Sequence, residues 1–137
     1  MPAQSYQLLI WLEQPDQLRI GALGEYVFCR GLYLYTGSAR RGMQARLLRH
    51  LRQDKRQRWH IDYLLSSTDA RIIDLRLSTL PECTLHQSLG GSLPIHGFGA
   101  SDCRKGCGSH LRFLGGTPFC PWATFKIGRG AGVEPGC

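Results

Sequence analysis

The chain has 137 residues, a formal net charge of +7, 42% hydrophobic residues and 20% charged residues. This length fits one domain, and the composition is that of a globular protein rather than a disordered one. No apolar run approaches the ~18 residues that a membrane-spanning helix needs. The N-terminal segment also lacks the basic start and cleavage site of a signal peptide. We therefore expect a single cytoplasmic domain with no membrane insertion and no repeat array.

The positive charge is concentrated in one segment. Residues 40–58 contain eight basic residues and one acidic residue, so this window carries +7 and the rest of the chain is neutral. Arginine outnumbers lysine seven to one there, and the planar guanidinium group matches phosphate geometry. The segment predicts a nucleic-acid partner, with a solvated helix face as the alternative. Its candidate contacts are Arg40, Arg41, Arg49, Arg52, Lys55, Arg56 and Arg58.

Short apolar or aromatic runs mark the expected strands. They cover residues 6–12, 18–22, 25–28, 32–36, 71–77 and 110–114. Glycine turns separate the first four runs, which predicts an antiparallel meander. In the fifth run Ile73, Leu75 and Leu77 alternate with polar residues, as in a half-buried strand. Together with helices between the runs, this predicts an α+β fold, a small antiparallel sheet flanked by helices.

The first expected helix covers residues 42–53. Its expected apolar stripe consists of Met43, Leu47, Leu48 and Leu51. At 100° per residue, Arg49 and Arg52 should then face water. Arg46 and His50 fall at the edge of the stripe, one turn apart, where the helix meets the sheet. A basic residue at such an edge is well placed to line a functional site.

Two further helices and a tail complete the expected organisation. Residues 59–65 predict a short helix, in which His60 and Asp62 are either a structural pair or contacts that line a groove. Pro81 and Glu82 begin the last helix, where a carboxylate in the first turn suits the helix dipole. Glycine and proline dominate from residue 115, so we expect a domain over 1–114 and a loosely held tail over 115–137.

Four of these residues together suit phosphodiester hydrolysis, which needs an activated water, a cation on the phosphate and a divalent metal. Arg46 could supply the cation, and Glu82 could hold one hard metal ion through oxygen. His50 or Tyr35 could accept the proton, although a tyrosine with a pKa of about 10 would need a cation nearby. The alternative interpretation is that Tyr35 packs in its strand and Glu82 only charges a helix end.

Six cysteines are many for this length. Because no export signal is visible, we expect them to be reduced or in part metal-bound. The candidate ligands of a structural zinc are Cys83, Cys103, Cys107 and His110. Zinc prefers four such ligands, but the spacing is only fair. Small buried thiols are therefore favoured over zinc, and a disulfide is the third alternative.

The chain resembles the GIY-YIG nuclease superfamily from Ser5 to about Leu114. The matching strings, in order, are SYQLLIWL, GLYLYTGSA, ARLLRHL, WHIDYLL, PEC and GFGASDC followed by SHL. YTGSA followed by RxxxH is moderately specific to the superfamily. WHIDYLL with GFGASDC and SHL is far more specific to one branch, which is labelled only as a domain of unknown function.

This resemblance implies a small domain around an antiparallel sheet that cuts nucleic acid with one divalent metal ion, Mg²⁺ or Mn²⁺. It implies that Tyr35 belongs to the second triplet, and that Arg46, His50 and Glu82 are the helix arginine, the His-or-Tyr position and the metal ligand. For the tyrosine of the first triplet, it favours Tyr6 over Tyr26, because Tyr26 is closer to Tyr35 than the usual spacing allows.

Two departures from the superfamily pattern concern activity rather than fold. Many members have an asparagine after the glutamate helix, and this sequence contains no asparagine. Some have a lysine three residues after the second-triplet tyrosine, and here that residue is Ser38. The resemblance therefore implies a metal-dependent endonuclease acting on DNA, with an inactive nucleic-acid-binding module on the same fold as the alternative. A zinc-stabilised interaction domain is the third hypothesis, and the sequence does not distinguish DNA from RNA.

Overall fold

The structure, a computed structural model, describes residues 3–39, 41–52, 55–87, 92, 94, 98 and 109–117. The strands are β1 (Ser5–Leu12), β2 (Asp16–Arg19), β3 (Glu25–Phe28), β4 (Gly31–Ser38), β5 (Ala70–Ser78) and β6 (Leu111–Gly115). The α-helices are α1 (Met43–Leu51), α2 (His60–Leu65) and α3 (Glu82–Gln87), and Gly21–Leu23 forms a 3-10 turn. The predicted α+β class and the approximate positions of these elements are confirmed.

A four-stranded antiparallel sheet with the order β5-β1-β4-β6 is the centre of the fold. β1 is buried along its whole length, because its nearly continuous apolar run needs strands on both edges and cover on both faces. β2 and β3 are largely half-exposed, and among the described strands they pair only with each other. The predicted meander is therefore wrong, since this hairpin stands apart and the chain returns to place β4 beside β1.

The two faces of the sheet have different neighbours. On what we call the first face, Tyr6 and alternate residues of β1 pack in the main core, together with Ile61 of α2 and Met43 of α1. On the second face, Leu9 and Leu34 belong to a smaller apolar cluster. Because side chains alternate along a strand, each strand residue can be assigned to one of these faces.

The predicted apolar stripe of α1 is wrong in part. Leu48 and Leu51 are 56% and 50% exposed. The inward side of the helix instead carries Met43, Arg46, Leu47 and His50, at the i, i+3, i+4 and i+7 spacing of one helix face. This side of the helix faces the sheet because His50 hydrogen-bonds to a buried tyrosine on the first face.

A β-bulge interrupts β5. Leu9 of β1 lies opposite Asp74, whereas the next residue, Ile10, lies opposite Ile72. Ile73 is therefore the extra residue and is 43% exposed, while Ile72 packs against the core. The regular alternation predicted for this strand does not hold across the bulge.

One cysteine corrects the expectation of reduced thiols. Cys29, between β3 and β4, is disulfide-bonded, and sequence spacing alone does not show which cysteines a fold brings to bonding distance. Cys103, Cys107 and the side chain of Cys83 lie outside the described residues, as does the expected tail from residue 118. Within the described part of the chain, no helix has the length and apolarity that a bilayer crossing requires.

Candidate active site

Two tyrosines lie side by side on the first face of the sheet. Tyr6 of β1 is directly opposite Gly37 of β4, and Tyr35 lies two residues before this glycine on the same face. The two tyrosine ring centroids are 6.4 Å apart. A β-carbon at Gly37 would lie 2.5 Å from Tyr6 Cζ, so the missing side chain makes room for the tyrosine ring. Tyr26 lies instead on β3 of the two-stranded sheet.

His50, in the last turn of α1, is bonded to Tyr6. Its Nε2 atom lies 2.6 Å from Tyr6 Oη, and both residues are buried. Burial lowers the pKa of His50 to about 4, with Lys55 acting in the same direction, and burial raises the pKa of Tyr6 to about 12. At neutral pH both groups are therefore neutral, and in the tautomer with the proton on His50 Nδ1 the tyrosine hydroxyl donates to Nε2. His50 Nδ1 has no hydrogen-bond partner among the described residues.

Arg46 lies one turn before His50 and interacts with the Tyr6 hydroxyl, which partly opposes the rise in the pKa of Tyr6. Its guanidinium carbon lies 4.5 Å from the ring centroid of Trp59, within the range of a cation–π contact. Trp59 also stacks against Arg49 at 4.2 Å, and its ring lies 5.6 Å from that of His50. Trp59 is thus a platform that supports the site, a role that sequence analysis did not assign to it.

Glu82 approaches the same cluster from the start of α3. Its side chain is 26% exposed, so it is accessible from solvent. Burial raises the pKa of Glu82 to about 7, and the nearby Arg46 partly opposes this rise. The charge of Glu82 raises the pKa of Tyr6 and of Tyr35. Glu82 Oε1 lies 3.5 Å from Nδ1 of His110. The carboxyl group therefore sits between a guanidinium group and an imidazole ring.

The donors around Glu82 suit one kind of metal. Among the described residues, no group of three His, Cys, Asp or Glu side chains could hold a metal ion. A single carboxylate fits Mg²⁺ or Mn²⁺, which keep several waters and use substrate phosphates as ligands. A tetrahedral zinc cage would need further donors. Of the candidate zinc ligands, only the His110 side chain is described, and it lies beside Glu82.

Arg49 does not face water as predicted. Its two terminal nitrogens each lie 2.9 Å from an oxygen of Asp62, a carboxylate with no exposed surface. Asp62 also accepts hydrogen bonds at 2.8 Å from the backbone N–H groups of Arg58 and Trp59. Burial disfavours this charge, but Arg49 and the two N–H groups keep the pKa of Asp62 below its ordinary value. Asp62 is therefore structural, and its partner is Arg49 rather than His60.

The other basic residues of this segment are also either structural or exposed. Lys55 Nζ donates to the carbonyl oxygens of Arg49 and His50, at 3.0 and 2.9 Å, and so caps the end of α1. Arg40 lies outside the described residues. The candidate contacts that remain exposed are Arg41, Arg52, Arg56 and Arg58. The surface available to a nucleic acid is therefore smaller than the charge count of the segment indicates.

The chain belongs to a family described as a domain of unknown function, DUF123, whose model matches residues 5–120. This match includes every strand and helix described above. It also includes all five residues of the candidate site, which are Tyr6, Tyr35, Arg46, His50 and Glu82. No curated protein and no solved structure matches the chain significantly.

Proposed function

We propose that this member of the DUF123 family is a metal-dependent endonuclease of the GIY-YIG type that hydrolyses phosphodiester bonds in DNA. The observation that carries the proposal is the convergence of five side chains on one end of the first face. They come from β1, β4, α1 and α3, and they are Tyr6, Tyr35, Arg46, His50 and Glu82. The sequence resemblance supports the same function.

In this proposal Tyr6 and His50 move the proton of the attacking water. The water transfers its proton to Tyr6 Oη while Tyr6 passes its own proton to His50 Nε2, across the 2.6 Å contact. The water oxygen forms the new bond to phosphorus, and the bond to the sugar oxygen breaks, so that this oxygen leaves with the electron pair and takes a proton from solvent. Because the pKa of His50 is about 4, its ring is neutral before the step. His50 is bonded to the Tyr6 hydroxyl, so in this proposal it acts through Tyr6.

Arg46 and Glu82 supply the charges that the reaction needs. Arg46 would bind the phosphate and stabilise the negative charge that develops in the transition state. Glu82 would hold Mg²⁺ or Mn²⁺, and the bound ion supplies positive charge that polarises the phosphate and acidifies water. Trp59 holds the Arg46 guanidinium group in place, and Tyr35 packs beside both Tyr6 and His50.

The exposed arginines favour a nucleic-acid substrate. Arg41 precedes α1, and Arg52 and Arg56 follow it, so all three surround the helix that carries Arg46. Their side chains are exposed, and guanidinium groups bind backbone phosphates without reading the base sequence. These contacts would hold a DNA strand next to the five-residue site.

The test is a cleavage screen over duplex, nicked, branched and single-stranded DNA with Mg²⁺ or Mn²⁺. We expect the parent protein to cleave at least one form only when metal is present. Glu82→Gln should abolish cleavage and retain DNA binding. Glu25→Gln is the matched control, because Glu25 is an exposed carboxylate on β3, and it should cleave like the parent.

An inactive nucleic-acid-binding module is the second candidate. It is favoured by the two departures from the superfamily pattern, Ser38 and the absence of asparagine. A parent protein that binds DNA but cleaves none of these substrates with either metal would support this candidate and refute the nuclease.

A further inference from the structure

A chain of polar side chains crosses the second face of the sheet, where the neighbouring residues are apolar. Arg76 Nε of β5 donates to Gln7 Oε1 of β1 at 2.7 Å. Gln7 Nε2 donates to Thr36 Oγ1 of β4 at 3.1 Å, and Thr36 Oγ1 lies 2.9 Å from Nδ1 of His86 in α3. Gln7, Thr36 and His86 have no exposed surface. The chain thus connects the edge of the sheet to the helix that carries Glu82.

The donors and acceptors fix the direction of the first two bonds in this series. Arg76 can only donate, so Gln7 accepts with its oxygen and donates with its nitrogen. Thr36 Oγ1 accepts the bond from Gln7, and it donates its own proton to His86 Nδ1 when His86 carries its proton on Nε2. Burial lowers the pKa of His86 to about 3, so its ring is neutral at neutral pH. The bond between Thr36 and His86 restricts the rotation of the His86 ring.

α3 needs attachments to the rest of the fold because it is short. The helix has six residues, too short to be stable by itself. Its backbone begins with a bond from Leu85 N–H to the Pro81 carbonyl, at 2.9 Å. Leu85 is buried, and the backbone of α3 also receives a bond from Arg112 Nε to the His86 carbonyl, at 3.2 Å.

Glu82 and His86 are four residues apart in α3, so they lie on the same side of the helix, one turn apart. Holding the His86 ring against Thr36 therefore fixes the rotation of the helix about its axis. That rotation decides whether the Glu82 carboxyl group points at Arg46 and Tyr6 or away from them.

We infer that Gln7, Thr36 and His86 are positioning residues that set the orientation of α3 and hence the placement of the Glu82 carboxylate as a metal ligand. The metal part of this inference rests on the proposed nuclease function. The anchoring of α3 does not. Buried polar groups of this kind give less stability than an apolar core, but they specify one arrangement of the elements they join.

The experiment compares four variants with the parent by two measurements. Thr36→Val and His86→Leu remove the hydrogen bond between Thr36 and His86. His86→Asn keeps an acceptor near the position of Nδ1. Ile10→Val is the control, because Ile10 is buried on the first face and is not part of the chain. Mn²⁺ affinity is measured by electron paramagnetic resonance of the free ion. Anchoring of α3 is measured by hydrogen exchange of the Leu85 amide.

Thr36→Val and His86→Leu should weaken Mn²⁺ binding by about 10- to 100-fold, as for other residues that orient a metal ligand. They should also speed exchange of the Leu85 amide more than exchange in β1. His86→Asn should restore most of both properties, and Ile10→Val should leave both unchanged although it lowers the melting temperature.

The two measurements separate this inference from the proposed function. If the Leu85 amide exchanges as slowly in Thr36→Val and His86→Leu as in the parent, these hydrogen bonds do not anchor α3. Faster exchange with unchanged Mn²⁺ affinity would overturn the link to the metal ligand. A parent protein that binds no Mn²⁺ would refute the metal site, and with it that link, while the exchange data would still decide whether the chain anchors α3.

Discussion

Gly37 and Tyr6 face each other across the paired strands β4 and β1, and any side chain at Gly37 would occupy the volume of the Tyr6 ring. The ring of Tyr6 thus explains why residue 37 is a glycine. Its role is to allow close approach rather than to adopt an unusual backbone angle, because its φ does not lie in the left-handed region.

Gly37→Ala is therefore expected to displace Tyr6 from His50. The stability loss should be about 1–3 kcal/mol, as for other overpacked buried sites. DNA cleavage should fall much more than DNA binding. Urea unfolding and a cleavage assay measure the two effects. Gly24→Ala is a useful control, since no atom lies within 4 Å of a β-carbon there, although its positive φ adds some strain. Full cleavage activity in Gly37→Ala would contradict the placement of Tyr6 in the site.

The pKa of His50 predicts how stability changes in acid. Its pKa is about 4 in the folded protein and 6.5 without the fold, so the unfolded chain binds more protons between these values. Stability is therefore present above pH 6.5 and is lost as the pH falls towards 4. His50 alone should remove about 1–2 kcal/mol between pH 7 and pH 5.

The measurement is the free energy of unfolding at several pH values for the parent and for His50→Phe. The variant should lose less stability between pH 7 and pH 5, although some dependence should remain because the pKa of His86 is also lowered. Glu82 acts in the opposite direction, since its raised pKa of about 7 favours the folded state at lower pH. Identical pH profiles for parent and variant would show that His50 is not buried in neutral form.

Arg49 and Arg52 provide a direct test of which arginines are structural. Arg49→Ala leaves the buried carboxylate of Asp62 without its ion pair, so we expect a loss of about 3–5 kcal/mol. The exposed Arg52→Ala should change stability by no more than about 0.5 kcal/mol. Thermal unfolding compares the two variants. The double change Arg49→Met with Asp62→Asn should recover part of the stability, because the amide oxygen can still accept from the backbone N–H groups of Arg58 and Trp59 while no charge is left buried.

DNA binding should depend on the exposed arginines. Arg52→Glu with Arg56→Glu should weaken binding to all sequences about equally, since phosphate contacts carry no sequence information. The slope of log affinity against log salt should become shallower by about one per lost phosphate contact. Fluorescence anisotropy at several salt concentrations measures both. Arg19→Glu is the control, because Arg19 is exposed on β2, away from this segment. Equal weakening by the control would indicate a nonspecific charge effect.

Trp59 should affect the rate of cleavage rather than DNA binding. Trp59→Leu removes the ring under Arg46 while keeping an apolar side chain, so the guanidinium group loses its fixed position. We expect the cleavage rate to fall by at least 10-fold, as for other misplaced catalytic groups. DNA affinity should fall by less than threefold. A parent-like rate in a folded Trp59→Leu variant would show that Arg46 is positioned by other contacts.

The sequence predicted the strands and helices more successfully than their arrangement. The apolar run of β1 and the glycine before β4 mark both strands clearly. Which strands pair is decided by contacts far apart in sequence, and several short apolar runs would fit a meander equally well. The isolation of the β2–β3 hairpin therefore appears only in three dimensions.

In the candidate site, sequence reasoning named residues that the fold brings together and missed the residues that support them. Tyr35, Arg46, His50 and Glu82 were proposed from their chemistry and spacing. The face of α1 was misjudged because the rule that apolar residues point inward fails where polar residues turn inward at a site. Asp62 stands three residues after Trp59, the typical position for a carboxylate that caps a helix start. Its ion pair with Arg49 joins two helices and leaves no pattern in the sequence.

The bulge at Ile73 has a consequence for self-association. Among the described strands β5 lies at an edge of the sheet, and an edge strand is a template for pairing with a second chain. Exposed Ile73 and Leu77 would add to the attraction. The extra residue bends the strand and breaks its hydrogen-bonding register, so a straight strand from another molecule meets only part of the edge. Deleting Ile73 would straighten this edge and give the protein a surface on which fibrils could begin.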